Sequence, residues 1–341
     1  MRIGVSIAVD VEDADISRAV GKWLADGDRG APVARLLRRP WEYATSAPLE
    51  LVTVVTDEGQ EHDLVLKHLG TRHASEQVRR AKPPFVVDSQ REIEVYRRLM
   101  APLGIGPALV GSRIEPATDT YWLLLEHVPG PRLFEVGEPA AWAATAHWLG
   151  AFHARLGTIE SAPVRHAARL IDCHRTWYRI WMDRALRFFG ADGPSWSRHD
   201  GKALSWLAER YDAVIDHLLA LPSTLIHGEF YPTNVIMMGA ADSFSPCPID
   251  WETASVGPGV LDLAALTAGE WREQDRRDMT AAYLAGSGAR LTLDQLSESA
   301  QYAHIQLAVY WLGWFGRRHK ADAHPRDWLA DAIDRAEALN L

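Results

Sequence analysis

Apolar residues recur at helical spacing over residues 13–26, where Ile16, Val20 and Leu24 form one stripe and Gly27 follows as a stop. The period shortens to two over 49–56 and 63–69, which predicts two β-strands joined by the turn Asp57-Glu58-Gly59-Gln60. Helical spacing returns over 89–100, with Asp88 or Ser89 as N-cap. The apolar run from Tyr121 to Val128 reads as a buried strand, and Pro129-Gly130 after it marks chain passing from one domain to another. Helices are predicted over 139–156, with Trp142, Ala146, Leu149 and Phe152 facing inward, over 174–189, and over 203–221, where Pro222 stops the last. Thr224-Leu225-Ile226 then reads as a short strand. The runs 234–238 and 247–249 flank a turn holding Gly239 and Asp242, which predicts a hairpin, and the chain beyond Gly269 reads as helical to its end.

At 341 residues the chain has room for about two domains of roughly 150 residues each. The pattern divides it into an N-terminal helical extension (1–30), a sheet-bearing part (31–128) and a mainly helical part (129–341). A formal net charge of −9 argues against a general binder of nucleic acid or anionic membrane. The two cysteines, Cys173 and Cys247, lie in no metal-ligand spacing and imply no disulfide framework, which suits a reducing cytoplasm. The apolar run Ile3–Val9 meets Asp10, Glu12 and Asp13 at once, unlike a secretory signal, and Leu307–Phe315 falls short of the ~20 residues that span a bilayer. A cytoplasmic protein without a membrane partner is the expectation.

The hairpin brings chemistry together. It sets the amide of Asn234 near the carboxylate of Asp250, a hard-oxygen pair suited to magnesium on nucleotide phosphates. Glu229, in the loop His227-Gly228-Glu229, would point into the same space and accept a proton from a hydroxyl as its oxygen attacks a phosphoryl group. These segments resemble the catalytic and metal-binding segments of the aminoglycoside phosphotransferase and choline kinase-like family, which shares the protein kinase fold. The family pattern is His-Gly-Asp-x-x-x-x-Asn followed by Ile-Asp-Trp/Phe-Glu. Here it reads His227-Gly228-Glu229 to Asn234, then Ile249-Asp250-Trp251-Glu252, with Glu229 where the family has Asp.

The resemblance implies an α+β, two-lobed kinase-like fold: a small, mainly antiparallel β-sheet N-lobe and a larger, mainly helical C-lobe. It also implies an enzyme, dependent on ATP and magnesium, that phosphorylates a hydroxyl of a small molecule such as a sugar, nucleoside, amino alcohol or natural product. Lys67, inside the second strand, reads locally as an edge-strand charge facing solvent; the resemblance makes it the lysine that contacts the nucleotide phosphates. Its carboxylate partner would be Glu92, one helical turn from Tyr96, with Glu94 as the alternative; on a solvated face either acid would pair with Arg97 or Arg98. Main-chain groups of Glu126 and Val128 would hold the adenine. The phosphate-covering stretch, residues 41–48, has no glycine, and Thr45 and Ser46 would supply hydroxyls instead. His227 is implied to be a scaffold residue partnered by Asp262, and Glu252 to assist the metal or remain structural. The aromatics and arginines of 174–189 read either as ordinary packing or as a substrate wall. Acids and bases nearly balance from Glu270 onward, so a strongly anionic cleft for a polycationic acceptor is not visible. A catalytically impaired nucleotide- or partner-binding module, and a peptide Ser/Thr kinase, stay open beside the phosphotransferase.

Overall fold

Five antiparallel strands carry the first half of the chain in the order β1-β2-β3-β5-β4: β1 (Val33–Pro40), β2 (Leu49–Thr56), β3 (Glu61–His68), β4 (Leu109–Glu115) and β5 (Thr120–Glu126). The computed structural model describes residues 11–27, 32–41, 48–73, 82–157, 162–191, 198–239, 244–315 and 327–341. The chain divides into two compact units, one ending at Pro129 and taking in Ala167–Arg169, the other made of Gly130–His166 and Leu170–Leu341.

In the first unit, α1 (Asp13–Asp26) turns Ile16, Val20 and Leu24 onto Val52, Val54, Leu64, Leu66 and Leu124 of the sheet. Each such side chain contributes about 1.5–3 kcal/mol relative to exposure, so this helix shares the core of the sheet. Strand side chains alternate, and Leu64, Leu66 and His68 are buried on the face that α1 covers. Lys67 therefore points to the opposite face. It is no edge residue, since β3 lies between β2 and β5. The strands β1 and β4 were not evident in the hydrophobic pattern. β1 is an edge strand, mostly exposed and rich in arginine, held by its pairing with β2 rather than by an alternation of its own.

Arg38 of β1 forks onto Glu50 with two bonds of 2.8 Å and also reaches the Val11 carbonyl and the Asp13 carboxylate. His68 adds a third contact to Glu50 at 2.6 Å. Burial alone would raise the Glu50 carboxyl, but hydrogen bonds from His68 and Arg38 outweigh it and hold the group down at about 2 against an ordinary 4.5. A carboxyl depressed on folding stabilises above its unfolded value and loses that contribution as pH falls through the folded one. Stability should therefore drop by about 3 kcal/mol between pH 4.5 and 2 through this group alone. Denaturant midpoints followed across that window should show the drop in the wild type and a flatter limb in Glu50→Gln.

The helix α2 starts as Arg91–Val95, passes through a π-type segment at Tyr96–Met100 and ends as Ala101–Leu103. Its cap differs slightly from the expected one: Gln90 is the N-cap residue, and the Asp88 carboxylate accepts the Gln90 N–H at 3.0 Å.

The second unit contains α3 (Pro139–Leu156), α4 (Ala162–Ala167, its last residue grouped with the first unit), α5 (Arg175–Ala191), α6 (Arg198–Ala220), α7 (Val260–Leu266), α8 (Glu273–Ser287), α9 (Leu293–Phe315) and α10 (Trp328–Ala338). Trp142, Ala146, Leu149 and Phe152 of α3 are buried. α3 and α8 meet through paired glycines: a Cβ at Gly150 would come within 2.2 Å of the Tyr283 carbonyl, and one at Gly286 within 2.0 Å of the His147 carbonyl. Short strands complete the unit. β6 (Ile171–Asp172), β10 (Ser255–Pro258) and β7 (Ser223–Ile226) form one sheet, and β8 (Val235–Met238) pairs with β9 (Ser245–Pro248) as a hairpin. Among the described residues no helix is long and apolar enough to cross a membrane.

Candidate active site

The strand β7 ends at Ile226 and delivers the loop His227-Gly228-Glu229, which is bound from beneath by one buried carboxylate. Asp262, in the first turn of α7, accepts the His227 N–H at 2.6 Å and the Gly228 N–H at 2.9 Å. The His153 ring lies 3.3 Å from it through Nε2, with the Tyr283 hydroxyl 2.8 Å from Nδ1. Burial pushes the Tyr283 phenol above its ordinary value, so it remains a donor. Tyr283 therefore donates to Nδ1, and His153 donates Nε2–H to Asp262. Three donors converge on this carboxylate, which compensates its burial.

The expected pairing of His227 with Asp262 is thus made by the main chain and not by the ring. The imidazole instead donates from Nε2 to the Ile249 carbonyl at 2.8 Å, while Nδ1 faces the Glu229 N–H at 3.3 Å. These contacts select the Nε2–H tautomer and tie the loop to the end of the β8–β9 hairpin. Trp251 packs on the same ring at 4.5 Å between centroids. Gly228 has φ +84°, and a Cβ there would meet the Thr253 carbonyl at 2.4 Å, so only glycine fits this turn.

Glu229 is half-buried, and its Oε1 accepts a hydrogen bond of 2.9 Å from the Tyr310 hydroxyl of α9. Burial first, then the Glu229 charge, push the Tyr310 phenol well above its ordinary value. It stays protonated and donates. Asn234 reaches back to the Glu229 carbonyl through Nδ2 at 3.0 Å, which leaves its Oδ1 as an acceptor. The hairpin carries that geometry to Asp250, because Ile249 donates its N–H to the Asn234 carbonyl at 2.9 Å. Asp250 follows with φ +69°, a left-handed conformation that costs a non-glycine residue about 1–3 kcal/mol and that recurs at functional sites. One amide oxygen and one carboxylate at the end of a hairpin are the hard donors that magnesium takes, usually with water and phosphate oxygens completing its shell. The donor set fits that ion.

The first unit brings Lys67 and Glu92 together, with Nζ 2.7 Å from Oε1 and the Glu92 side chain only 2% exposed. Glu94 turns the other way and pairs with Arg97 and Arg98. Glu126 closes β5 and gives its N–H to the Ala108 carbonyl, and Val128 stands half-buried just beyond the strand. Ser46 and Thr45 lie outside the described residues. Tyr310 and His153 were missed as site residues in the sequence. Tyr310 sits 81 positions from Glu229 in an apolar helix, and nothing in its own segment sets it apart from core.

An antiparallel sheet whose half-buried lysine holds a helix carboxylate, and a helical unit whose acid loop is tied to a hairpin, together make a kinase-like fold. The model of the phosphotransferase enzyme family matches residues 52–299, and the chain belongs to that family. Solved structures with the same fold include wild-type aminoglycoside 2'-phosphotransferase-IIIa in complex with GDP, at 15% identity and TM-score 0.57 over 95% of this chain and 99% of that one. A choline/ethanolamine kinase family protein from Mesorhizobium loti matches at 15% identity and TM-score 0.55, covering 95% of this chain and 92% of its own. The macrolide 2'-phosphotransferase of Brachybacterium faecium matches at 18% and 0.52, covering 95% and 97%. At these identities the likeness is one of fold. No match was found among curated proteins.

Proposed function

We propose that this phosphotransferase moves the terminal phosphoryl group of ATP to a hydroxyl of a small molecule, with Glu229 as the base. The observation that carries this reading is the Glu229 carboxylate itself: it is aimed by Tyr310, and its loop is held from beneath by Asp262 and from the side by Asn234. In the reaction the acceptor oxygen bonds to the terminal phosphorus, the bond from that phosphorus to the bridging oxygen of the leaving diphosphate breaks, and the hydroxyl proton passes to Glu229. Magnesium, when bound, would neutralise charge on the phosphate oxygens. Asn234 and Asp250 are the residues assigned to hold it. Lys67, oriented by Glu92, would supply a point charge to the phosphates. Glu126 and Val128 would meet the base through main-chain groups, and Ser46 remains assigned to the phosphate-covering stretch.

Glutamate can replace the family's aspartate because the chain compensates for its extra length. The two acids differ in basicity by only ~0.4 pK units, and the added methylene moves the carboxylate by roughly 1–1.5 Å. The Tyr310 hydroxyl meets it at its longer reach. GDP in the aminoglycoside 2'-phosphotransferase structure supports a nucleotide donor, so GTP belongs in the same assay. Asp250→Ala should remove at least 99% of any transfer found with a panel of hydroxyl compounds. Turnover that survives this change would overturn the assignment of the metal ligands. A cytoplasmic site of action belongs to this reading and suits a chain with only two cysteines, both buried.

A further inference from the structure

Arg91 opens α2 one residue before Glu92, and it is a cation with little access to water, at 5% exposure. A buried guanidinium is tolerated only where its N–H groups find acceptors. Two of those acceptors are main-chain carbonyls: Nε donates to Arg169 at 2.8 Å and Nη1 to Val86 at 2.9 Å. Asp88, 4.0 Å from Nη2, supplies countercharge. Because the guanidinium is a planar, rigid fork, these bonds locate the first turn of α2 against two separate stretches of chain. The middle of the helix has a different tie, since Arg97 donates to the Ser112 hydroxyl of β4 at 2.8 Å and to its carbonyl at 3.2 Å.

The Arg169 contact comes from an unusual turn. Ala167–Arg169 group with the first unit, although the chain on either side belongs to the second. The turn closes α4, with the Leu170 N–H returned to the Arg165 carbonyl at 3.1 Å and Arg169 at φ +57°. Glycine is the usual residue at such a left-handed helix stop. Arginine stands there instead, and its side chain is used: Nε donates to Asp88 Oδ2 at 2.7 Å, while Asp88 Oδ1 accepts the Gln90 N–H at the start of α2. The carbonyl and the guanidinium of one residue thus both act on the beginning of the same helix. A helix stop accounts for the backbone of Arg169 and not for its side chain.

Resting on the reading of Lys67 as the nucleotide lysine, we propose that Arg91 is a positioning residue: held by Val86 and Arg169, it sets the turn of α2 that presents Glu92 to Lys67. Crystal structures of the full chain without nucleotide should show Lys67 Nζ and the Glu92 carboxylate, 2.7 Å apart in the wild type, separated beyond about 3.5 Å in Arg91→Lys, which keeps the charge but cannot reach both carbonyls. Calorimetry with ATP and magnesium should show that variant binding about tenfold more weakly, the low end of what orienting contacts contribute, and within about twofold of its parent once Glu92→Gln is present. Arg169→Gly keeps the left-handed turn and removes the guanidinium. It should weaken ATP by about two- to fivefold, the scale of a half-exposed ion pair, without lowering the thermal midpoint. A Lys67–Glu92 bond unchanged in folded Arg91→Lys, an equal loss of ATP binding with and without Glu92→Gln, or ATP binding unmoved by Arg169→Gly would overturn the proposal. Lys67→Ala separates it from the reading beneath it. ATP bound as tightly by Lys67→Ala as by the wild type, with the Lys67–Glu92 bond broken in Arg91→Lys, defeats the nucleotide role of Lys67 alone.

Discussion

Glu229→Gln should lower kcat by about 10²–10⁴-fold, the usual contribution of a positioned general base, with the KM for nucleotide little changed. The amide keeps the size of the side chain and can still accept from Tyr310, but it cannot take the proton. Glu229→Asp restores the family's residue and is nonetheless expected to cost about a hundredfold, the scale set by ~1 Å of misplacement. Shortening the side chain withdraws the carboxylate from a phenol placed to meet it at 2.9 Å. Steady-state kinetics on the two variants side by side separates these cases. An aspartate variant faster than wild type would mean that Tyr310 has not adapted the site to glutamate.

Asp262→Ala is expected to have the largest effect on stability, about 3–5 kcal/mol, because it removes the acceptor for several buried donors together. The His227 and Gly228 N–H groups and the His153 ring would all lose that partner. Asp262→Asn should fall between, since an amide accepts through one oxygen but presents an N–H₂ where an acceptor is needed. Equilibrium unfolding in urea reads both changes. A loss in Asp262→Ala below ~1 kcal/mol, the size of an ordinary substitution, would show that the loop does not depend on this carboxylate.

The parts of the fold legible in the sequence were those with strong periodicity or punctuation. The stripe of Ile16, Val20 and Leu24 marked α1 to its observed ends, and the turn with Gly59 marked the β2–β3 pair. Edge strands were harder. β1 takes its conformation from pairing across to β2, and its arginines carry no period-2 signal of burial. Motifs revealed the loop from His227 to Asn234 because its constraints are local: Gly228 must adopt positive φ, and Asn234 folds back onto the Glu229 carbonyl. Contacts made across the fold could not be read in this way. Which side of α2 faces the sheet decides whether Glu92 or Glu94 meets Lys67, and only the resemblance carried by the Glu92–Tyr96 spacing favoured Glu92, the acid that Lys67 does meet. The partner of the His227 ring is a carbonyl, which every residue carries, so sequence offered only Asp262 as a candidate. Tyr310 reaches Glu229 only because α9 lies beside the loop.

The family membership establishes a phosphotransferase, and the departure at Glu229 makes the transfer itself the central claim. Phosphorus NMR of the full chain with ATP, magnesium and a hydroxyl acceptor reads it directly, with Asp250→Ala as the control. The account predicts a phosphate monoester of the acceptor appearing in step with ADP, and neither product from the variant. ATP bound to the wild type, with no phosphate monoester formed on any acceptor, would contradict it and make Glu229 part of a binding module rather than a base.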